Sequence, residues 1–180
     1  MATYLVTGAA RGIGLELTKQ LLELPSTQVD KVFALVRSSP APKSPLQELL
    51  DKYSDRLFAI TAAVDNTESV QKAAEEVKAK LASTGKGLDV LVNNAGIAFH
   101  HPDGIRNVSA EDMTQLLDVN VIGTQRVTAA FLPLLESGNG GQKKIINMYV
   151  LCFFPFLEKM RWSPCLRLLL KKKDTRTKKQ

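Results

Sequence analysis

Three glycines near the amino terminus have the spacing of a phosphate-binding turn. Gly8, Gly12 and Gly14 follow a short apolar run and precede a segment whose leucines recur at helical spacing. Because glycine has no Cβ, its backbone can approach a ligand closely, and the unpaired N–H groups at a helix start favour negative charge. This strand, turn and helix therefore predict a site for the pyrophosphate of a dinucleotide. A plain strand-to-helix turn is the alternative, since a glycine pattern alone is weak evidence.

A positive charge stands where the second strand is expected to end. Residues 31–37 form an apolar run that closes with Arg37. In dinucleotide-binding folds this position contacts the adenosine ribose, where an acid binds the hydroxyls of NAD and a guanidinium pairs with the 2′-phosphate of NADP. Arg37, together with Arg11 in the glycine turn, therefore favours NADP over NAD. Two solvated loop arginines are the alternative.

Apolar strands alternate with amphipathic helices along most of the chain. This rhythm predicts an α/β fold, a doubly wound parallel sheet with helices on both faces and a ligand crevice at the carboxyl ends of the strands. The predicted strands after the first lie at 31–37, 56–64, 88–93 and 143–148, and the predicted helices lie at 15–22, 46–53, 67–83 and 109–137.

Two motifs in this order identify a family resemblance. Thr7 gives the glycine turn the form Thr-Gly-x-x-x-Gly-x-Gly, and the fourth strand runs into Asn93-Asn94-Ala95-Gly96. Both resemble the short-chain dehydrogenase/reductase family, and within it fungal ketoreductases similar to norsolorinic acid ketoreductase. The resemblance implies a Rossmann-like domain over residues 1–148, NADP(H) as cofactor and reduction of a small-molecule carbonyl by hydride transfer. It implies cofactor contacts at Thr7, Gly8, Arg11, Gly12, Ile13, Gly14, Arg37, Asn93, Ala95 and Gly96.

The resemblance also implies roles for two other polar residues. In the family an acid at the end of the third strand contacts adenine, and Asp65 stands two places beyond that position. An adenine contact and a helix cap in the box Asp65-x-x-Glu68 therefore both stay open. Asn120 matches the asparagine that helps to hold a water in the family's proton relay to its catalytic lysine. A solvated polar residue is the alternative for Asn120.

The helix predicted at 109–137 has a clear start and a long apolar side. Ser109 is a good N-cap, and the acids that follow it lie near the positive end of the helix dipole. This helix is also the expected contact surface of a homo-oligomer. Its predicted buried residues are Met113, Leu116, Leu117, Val121, Val127, Phe131, Leu134 and Leu135.

The resemblance ends after Met148. In the family a serine follows the fifth strand and polarises the carbonyl, and a later tyrosine moves the proton while a lysine four places beyond it lowers the tyrosine pKa. Here no serine follows the strand, Tyr149 is followed four places later by Phe153, and no Tyr-x-x-x-Lys occurs. We therefore expect very low or no turnover and a fold that lacks the family's last strands. A non-catalytic NADP-binding fragment is the alternative function.

Residues 149–180 differ in composition from the rest of the chain. They hold nine basic and two acidic residues and so carry +7, against −1 for residues 1–148 and +6 for the whole chain. The body is nearly neutral, so no nucleic-acid partner is expected. The apolar run at 145–157 is too short to cross a bilayer. A non-native C-terminus, arising from a frameshift, a retained intron or a mis-predicted gene end, and a peripheral membrane contact both stay open.

Compartment and metal binding are also addressed by the sequence. The first strand begins almost directly after Met1, which leaves no room for a targeting segment and predicts a cytoplasmic protein. Cys152 and Cys165 are the only cysteines, so no disulfide framework is expected. His100 and His101 are adjacent in a loop without further nitrogen or sulfur ligands nearby, so no metal site is expected.

Overall fold

The computed structural model describes residues 1–82, 85–99, 107–138 and 143–148. These residues lie in one compact unit, Met1–Met148. The predictions for His100, His101, both cysteines and residues 149–180 fall outside the described residues. No helix within the described ranges is long and apolar enough to span a membrane. The elements in chain order are β1 (Ala2–Thr7), α1 (Gly12–Glu23), β2 (Val29–Val36), α2 (Pro45–Lys52), β3 (Leu57–Thr61), α3 (Thr67–Ala82), β4 (Val90–Asn93), α4 (Ala110–Leu117), a π-helical segment (Asp118–Ile122), α5 (Gly123–Glu136) and β5 (Lys144–Asn147).

Five strands of the described residues form one parallel sheet in the order β3-β2-β1-β4-β5. β1 is the central strand, where Leu5 pairs with Phe33 of β2 on one side and with Leu91 of β4 on the other. The inner strands are nearly continuous runs of buried aliphatic residues, as expected for a parallel sheet covered on both faces. The order of the strands reverses between β1 and β4, which is the position where open α/β sheets bind their ligands.

Helices cover both faces of the sheet. Because successive side chains of a strand point to opposite faces, Leu5 and Val6 of β1 enter different cores. Leu5 packs with Phe131 of α5 and Val77 of α3, whereas Val6 packs with Leu21 of α1. The predicted doubly wound α/β fold is therefore confirmed, and α1 and α3 each bury one side against the sheet.

The helix predicted over 109–137 is interrupted by the π-helical segment. Its second half is buried as predicted through Val127, Phe131, Leu134 and Leu135. The prediction for its first half is wrong, because no residue of α4 is buried. A helical period locates an apolar stripe without showing whether another element covers it, and the wider π turn breaks the phase between the two halves. The exposed fractions are 43% for Met113, 50% for Leu117 and 58% for Val121.

Capping bonds set the starts of two helices. The Ser109 side chain accepts from the backbone N–H of Asp112 at 3.0 Å, and the Asp112 carboxylate accepts in return from Ser109 N–H at 3.2 Å, which confirms the predicted cap. At α3 the capping role that the sequence left open for Asp65 falls to Asn66, whose Oδ1 accepts from Ser69 N–H at 2.8 Å. An asparagine one residue later makes the same bond to the first turn, so Asp65 lies exposed just outside the helix.

The third strand is shorter than the predicted 56–64. Ala62 N–H still donates to the Val36 carbonyl at 2.8 Å, but Ala63 N–H turns to the Ser69 hydroxyl at 3.1 Å. The chain leaves the sheet after this bond, and a side chain of α3 then holds the Ala63 N–H. Before the strand, the Arg56 guanidinium binds the carbonyls of Leu22, Leu24 and Val29 at 3.1, 3.0 and 2.8 Å.

Buried polar contacts also occur at the amino ends of the strands. The Asp89 carboxylate accepts from Thr3 N–H at 2.8 Å and so ties the segment before β4 to β1. Burial, and secondly the charge of Asp89, raise the pKa of the Tyr4 hydroxyl above its ordinary value. Tyr4 therefore stays neutral near physiological pH and contributes to packing at the edge of the sheet opposite the glycine turn.

Candidate functional site

The glycine turn between β1 and α1 has the backbone that its sequence predicts. Gly8 and Gly12 lie at φ 67° and 58°, in the left-handed region that favours glycine. A Cβ at Gly8 would lie 2.9 Å from the Ala95 Cα, whereas a Cβ at Gly12 would meet nothing within 4 Å. Gly8 is therefore required by packing against the loop after β4, and Gly12 faces open space on the side from which a ligand can approach.

Gly14 brings the start of α1 against the turn itself. A Cβ at Gly14 would lie 2.4 Å from the Gly8 carbonyl oxygen and 2.5 Å from the Asn94 side-chain nitrogen. Arg11 occupies the N-cap of α1 without a side-chain capping bond. The first-turn N–H groups of a helix have no intrahelical acceptor, so those of α1 remain for an anion at this end of the helix.

Thr7 joins the glycine turn to the loop after β4. Its hydroxyl oxygen accepts from the backbone N–H groups of Asn94 and Ala95 at 2.9 and 2.8 Å. The Asn94 side chain donates in return to the Thr7 carbonyl at 2.9 Å. We call these contacts the β1–β4 joint. Asn94 is absent from the residues predicted to build the site, and its place beside Asn93 in the motif was the only sequence signal for it.

Asn93 lies at the end of β4 and points toward β5 and α5. It is 5% exposed, and its amide nitrogen donates to the Asn147 side-chain oxygen at 2.9 Å and to the Thr128 hydroxyl at 3.1 Å. Its Oδ1 has no hydrogen-bond partner among the described residues. The side chain thus links three elements, and the cofactor contact expected of Asn93 stays a prediction.

Asn120 lies in the π-helical segment and holds the loop after β4. Its side-chain oxygen accepts from Ile97 N–H at 2.9 Å, and its side-chain nitrogen donates to the Ile97 carbonyl at 2.9 Å. A Cβ at Gly96 would lie 3.2 Å from the Asn120 Oδ1, so glycine there permits the close approach. Single π turns inside α-helices occur often at functional sites. Both hydrogen bonds of the Asn120 amide are thus made to the backbone of Ile97. The role of Asn120 in a proton relay stays a prediction.

The charged candidates stand at the carboxyl ends of the strands. Arg37 follows β2 directly and is exposed, Asp65 is exposed in the loop after β3, and Arg11 is exposed in the glycine turn beside half-buried Ile13. Because all five strands are parallel, their carboxyl ends share one edge of the sheet. The predicted cofactor residues therefore line this edge from β3 to β4, with the glycine turn near its centre.

A sequence model of the family described as short chain dehydrogenase matches residues 2–152. The chain belongs to the short-chain dehydrogenase family. The chain is 36% identical over 163 residues to the short-chain dehydrogenase/reductase AacuF of Aspergillus aculeatus, a match that covers 87% of this chain and 57% of AacuF. It is 36% identical over 144 residues to the mitochondrial D-beta-hydroxybutyrate dehydrogenase of Bos taurus, covering 80% of this chain and 40% of that relative.

Solved structures of short-chain dehydrogenases share the fold. The structure of NADPH-bound carbonyl reductase from chicken fatty liver superposes with a TM-score of 0.68 at 37% identity, covering 76% of this chain and 49% of that one. The chain therefore spans about half the length of the relatives it matches. The matching half is the one that carries the glycine turn and the β1–β4 joint.

The backbone and arginine groups at this edge of the sheet are suited to binding an anion and a ribose. The glycine turn offers N–H groups and a helix dipole, and Arg37 and Arg11 offer guanidinium groups for a phosphate. The β1–β4 joint and the Asn120–Ile97 pair hold the loop that forms the other wall. The described side chains of this edge thus fit a bound dinucleotide, and the open space at Gly12 is the observation on which that fit rests.

Proposed function

We propose that this short-chain dehydrogenase chain binds NADPH along the carboxyl edge of its sheet. The observation that carries the proposal is Gly12, whose left-handed φ of 58° and open surroundings leave the helix start accessible to a pyrophosphate. Thr7, Gly8, Ile13 and Gly14 shape the same turn. Asn93, Ala95 and Gly96, in the loop fixed by the β1–β4 joint, would form the wall beside the nicotinamide ribose.

The preference for NADPH over NADH rests on Arg37 and Arg11. A guanidinium at the end of β2 pairs with a 2′-phosphate, whereas the two ribose hydroxyls of NADH would call for an acid there. The chicken carbonyl reductase carries NADPH. The alcohol dehydrogenase of Thermococcus sibiricus, at 27% identity and a TM-score of 0.61 over 76% of this chain and 54% of its own, is complexed with 5-hydroxy-NADP. Both similarities support NADP(H) as the ligand.

From its family we propose that the reaction of this chain is the reduction of a small-molecule carbonyl. Bound NADPH would supply a hydride to the carbonyl carbon, and the carbonyl oxygen would take up a proton. Asn120 would take part as the residue that orders the proton relay. The chain contains no Tyr-x-x-x-Lys for the proton transfer, so we expect very low or no turnover. Binding of NADPH without turnover is the second candidate function, and this missing motif favours it.

A fluorescence titration with NADPH and NADH, followed by assay of NADPH consumption with an aryl ketone, tests the proposal. We expect NADPH to bind more tightly than NADH and to be consumed slowly or not at all. Gly12→Ala should weaken NADPH binding by about tenfold or more, because its methyl group would occupy the phosphate approach, while the fold loses only about 1 kcal/mol from the left-handed backbone.

Gly85→Ala is the matched control for this titration. Gly85 lies at φ 62° and a Cβ there also meets nothing within 4 Å, but it precedes β4 at the opposite edge of the sheet. The two variants should therefore share one loss of stability and differ in NADPH affinity. If Gly12→Ala and Gly85→Ala bind NADPH with equal affinity, the glycine turn is not the binding site. If the unaltered chain does not bind NADPH, the proposed function is wrong.

We also propose that the exposed apolar stripe of α4 and the π-helical segment mediates self-association. Met113, Leu117 and Val121 recur every fourth residue and are 43%, 50% and 58% exposed. Sedimentation velocity should show a concentration-dependent dimer that Leu117→Glu dissociates. Gln115→Glu adds the same charge to α4 away from the stripe and should leave the dimer intact. The proposal would be contradicted if the unaltered chain sediments as a monomer at all concentrations.

A further inference from the structure

The loop between β3 and α3, residues 62–66, lies at the end of the sheet beyond Arg37. Its last strand-like bond is from Ala62 N–H to the Val36 carbonyl, and Ala63 N–H is bound by the Ser69 hydroxyl at 3.1 Å. Val64 is half-buried, and Asp65 and Asn66 form the exposed part of the loop. With β3 next to β2, a dinucleotide that places its ribose phosphate at Arg37 directs its base toward this loop.

One side chain from a distant part of the chain reaches the loop. The Arg126 guanidinium of α5 donates from one terminal nitrogen to the Val64 carbonyl at 3.4 Å and from the other to the Asp118 carboxylate at 2.8 Å. The side chains of Arg126 and Asp118 are 21% and 35% exposed, so the pair is partly shielded from solvent. Arg126 therefore bridges the loop after β3 and the first residue of the π-helical segment.

Close packing at Gly123 supports this bridge. A Cβ at Gly123 would lie 3.1 Å from the Val64 carbonyl oxygen and 3.2 Å from the Asp118 carbonyl oxygen. The loop and the π-helical segment therefore pack closely at the start of α5, where a larger residue would make its neighbours shift by a few tenths of an ångström. The same segment carries Asn120, which holds Ile97 in the loop after β4. The two loops at either end of the candidate site are therefore connected through Asp118–Ile122.

We infer that Arg126 is a positioning residue that holds Val64 and Asp65 in place for the base half of the dinucleotide. The inference rests on the proposed function, because it assigns a role within the proposed site. Arg126 acts through the Val64 carbonyl and through Asp118, and its planar fork serves both acceptors at once. Without it, the Val64 carbonyl loses this donor, and a bound adenosine must itself order Val64 and Asp65, which lowers its affinity.

The test compares Arg126→Met with Arg56→Met. Arg56 also binds backbone carbonyls with its guanidinium, but at the opposite edge of the sheet. Arg56→Met should therefore also destabilise the fold, but it leaves the loop between β3 and α3 untouched. Calorimetry with 2′,5′-ADP, which is the adenosine half of NADP, should give about fivefold weaker binding for Arg126→Met and no change for Arg56→Met. Arg126→Lys, which keeps the charge, should recover part of the affinity.

A second readout uses the chain without any ligand. Backbone hydrogen exchange of residues 62–69 should become faster in Arg126→Met. Asp118→Asn keeps the shape of its side chain and should have the same effect, so it serves as the second variant if Arg126→Met fails to fold. Unchanged exchange in both variants overturns the inference, as does equal weakening of 2′,5′-ADP in Arg126→Met and Arg56→Met. If the unaltered chain does not bind 2′,5′-ADP, the proposed function and the role assigned within it both fail, and the exchange rates then report only on the loop.

Discussion

Gly14→Ala should unfold the glycine turn and remove NADPH binding in a single step. The added methyl group would lie 2.4 Å from the Gly8 carbonyl oxygen and 2.5 Å from the Asn94 side-chain nitrogen, and the first of these is backbone that cannot rotate away. The start of α1 must then move off β1. We expect a loss of about 3 kcal/mol or more in the free energy of unfolding, measured in urea.

The comparison with Gly12→Ala separates packing from ligand access. Both substitutions add one methyl group to the same turn, but only Gly14 lacks the space for it. Gly14→Ala should lose stability and binding together, whereas Gly12→Ala should lose mainly binding. A Gly14→Ala chain as stable as Gly12→Ala would show that the turn relaxes at little cost, and the close packing of α1 on Gly8 would then carry no energetic weight.

Thr7→Val should break the β1–β4 joint while preserving the shape of the side chain. Valine removes the oxygen that accepts from Asn94 N–H at 2.9 Å and from Ala95 N–H at 2.8 Å. Both donors would be left without this acceptor in a partly buried place, which costs about 2–4 kcal/mol in the free energy of unfolding. Loss of NADPH affinity should accompany it, because the loop after β4 forms one wall of the proposed site.

Thr7→Ser is the control for this prediction. Serine keeps the hydroxyl oxygen and loses only a methyl group, so it should retain most of the stability and of the NADPH affinity. Urea unfolding of the two variants, followed by titration with NADPH, gives both quantities. If Thr7→Ser is as unstable as Thr7→Val, the contribution of Thr7 is packing of its methyl group, and the hydrogen bonds of the joint are not what holds the two loops.

Local patterns in the sequence predicted the sheet and the glycine turn well. Strands such as β2 contain long runs of buried apolar residues, here Val32–Val36, and the left-handed backbone of the turn favours glycine at Gly8 and Gly12. The cap at Ser109 was predictable for the same reason, since donor and acceptor lie three residues apart. These features depend on short stretches of chain, so residue types and spacing contain most of the information about them.

Features that depend on contacts between distant residues could not be predicted in the same way. The role of Asn94 depends on Thr7, and that of Arg126 depends on Val64. The exposed face of α4 has the same apolar period as a buried one, and only the packing of the folded chain tells them apart. Both Asp65 and Asn66 have side chains that can cap α3. The cap is Asn66, because the position where the chain leaves β3 determines which residue precedes the helix.

The β1–β4 joint also bears on the order in which the chain folds. Its bonds connect residues 87 and 88 positions apart, with the whole β2–α3 region between them. Contacts at such separations form late, since a long loop must close before they contribute, and a nascent chain emerges from the ribosome amino end first. The first three strands can therefore pair before β4 has joined β1. The cofactor site is then completed among the last parts of the fold, and NADPH would select the finished chain by binding to it alone.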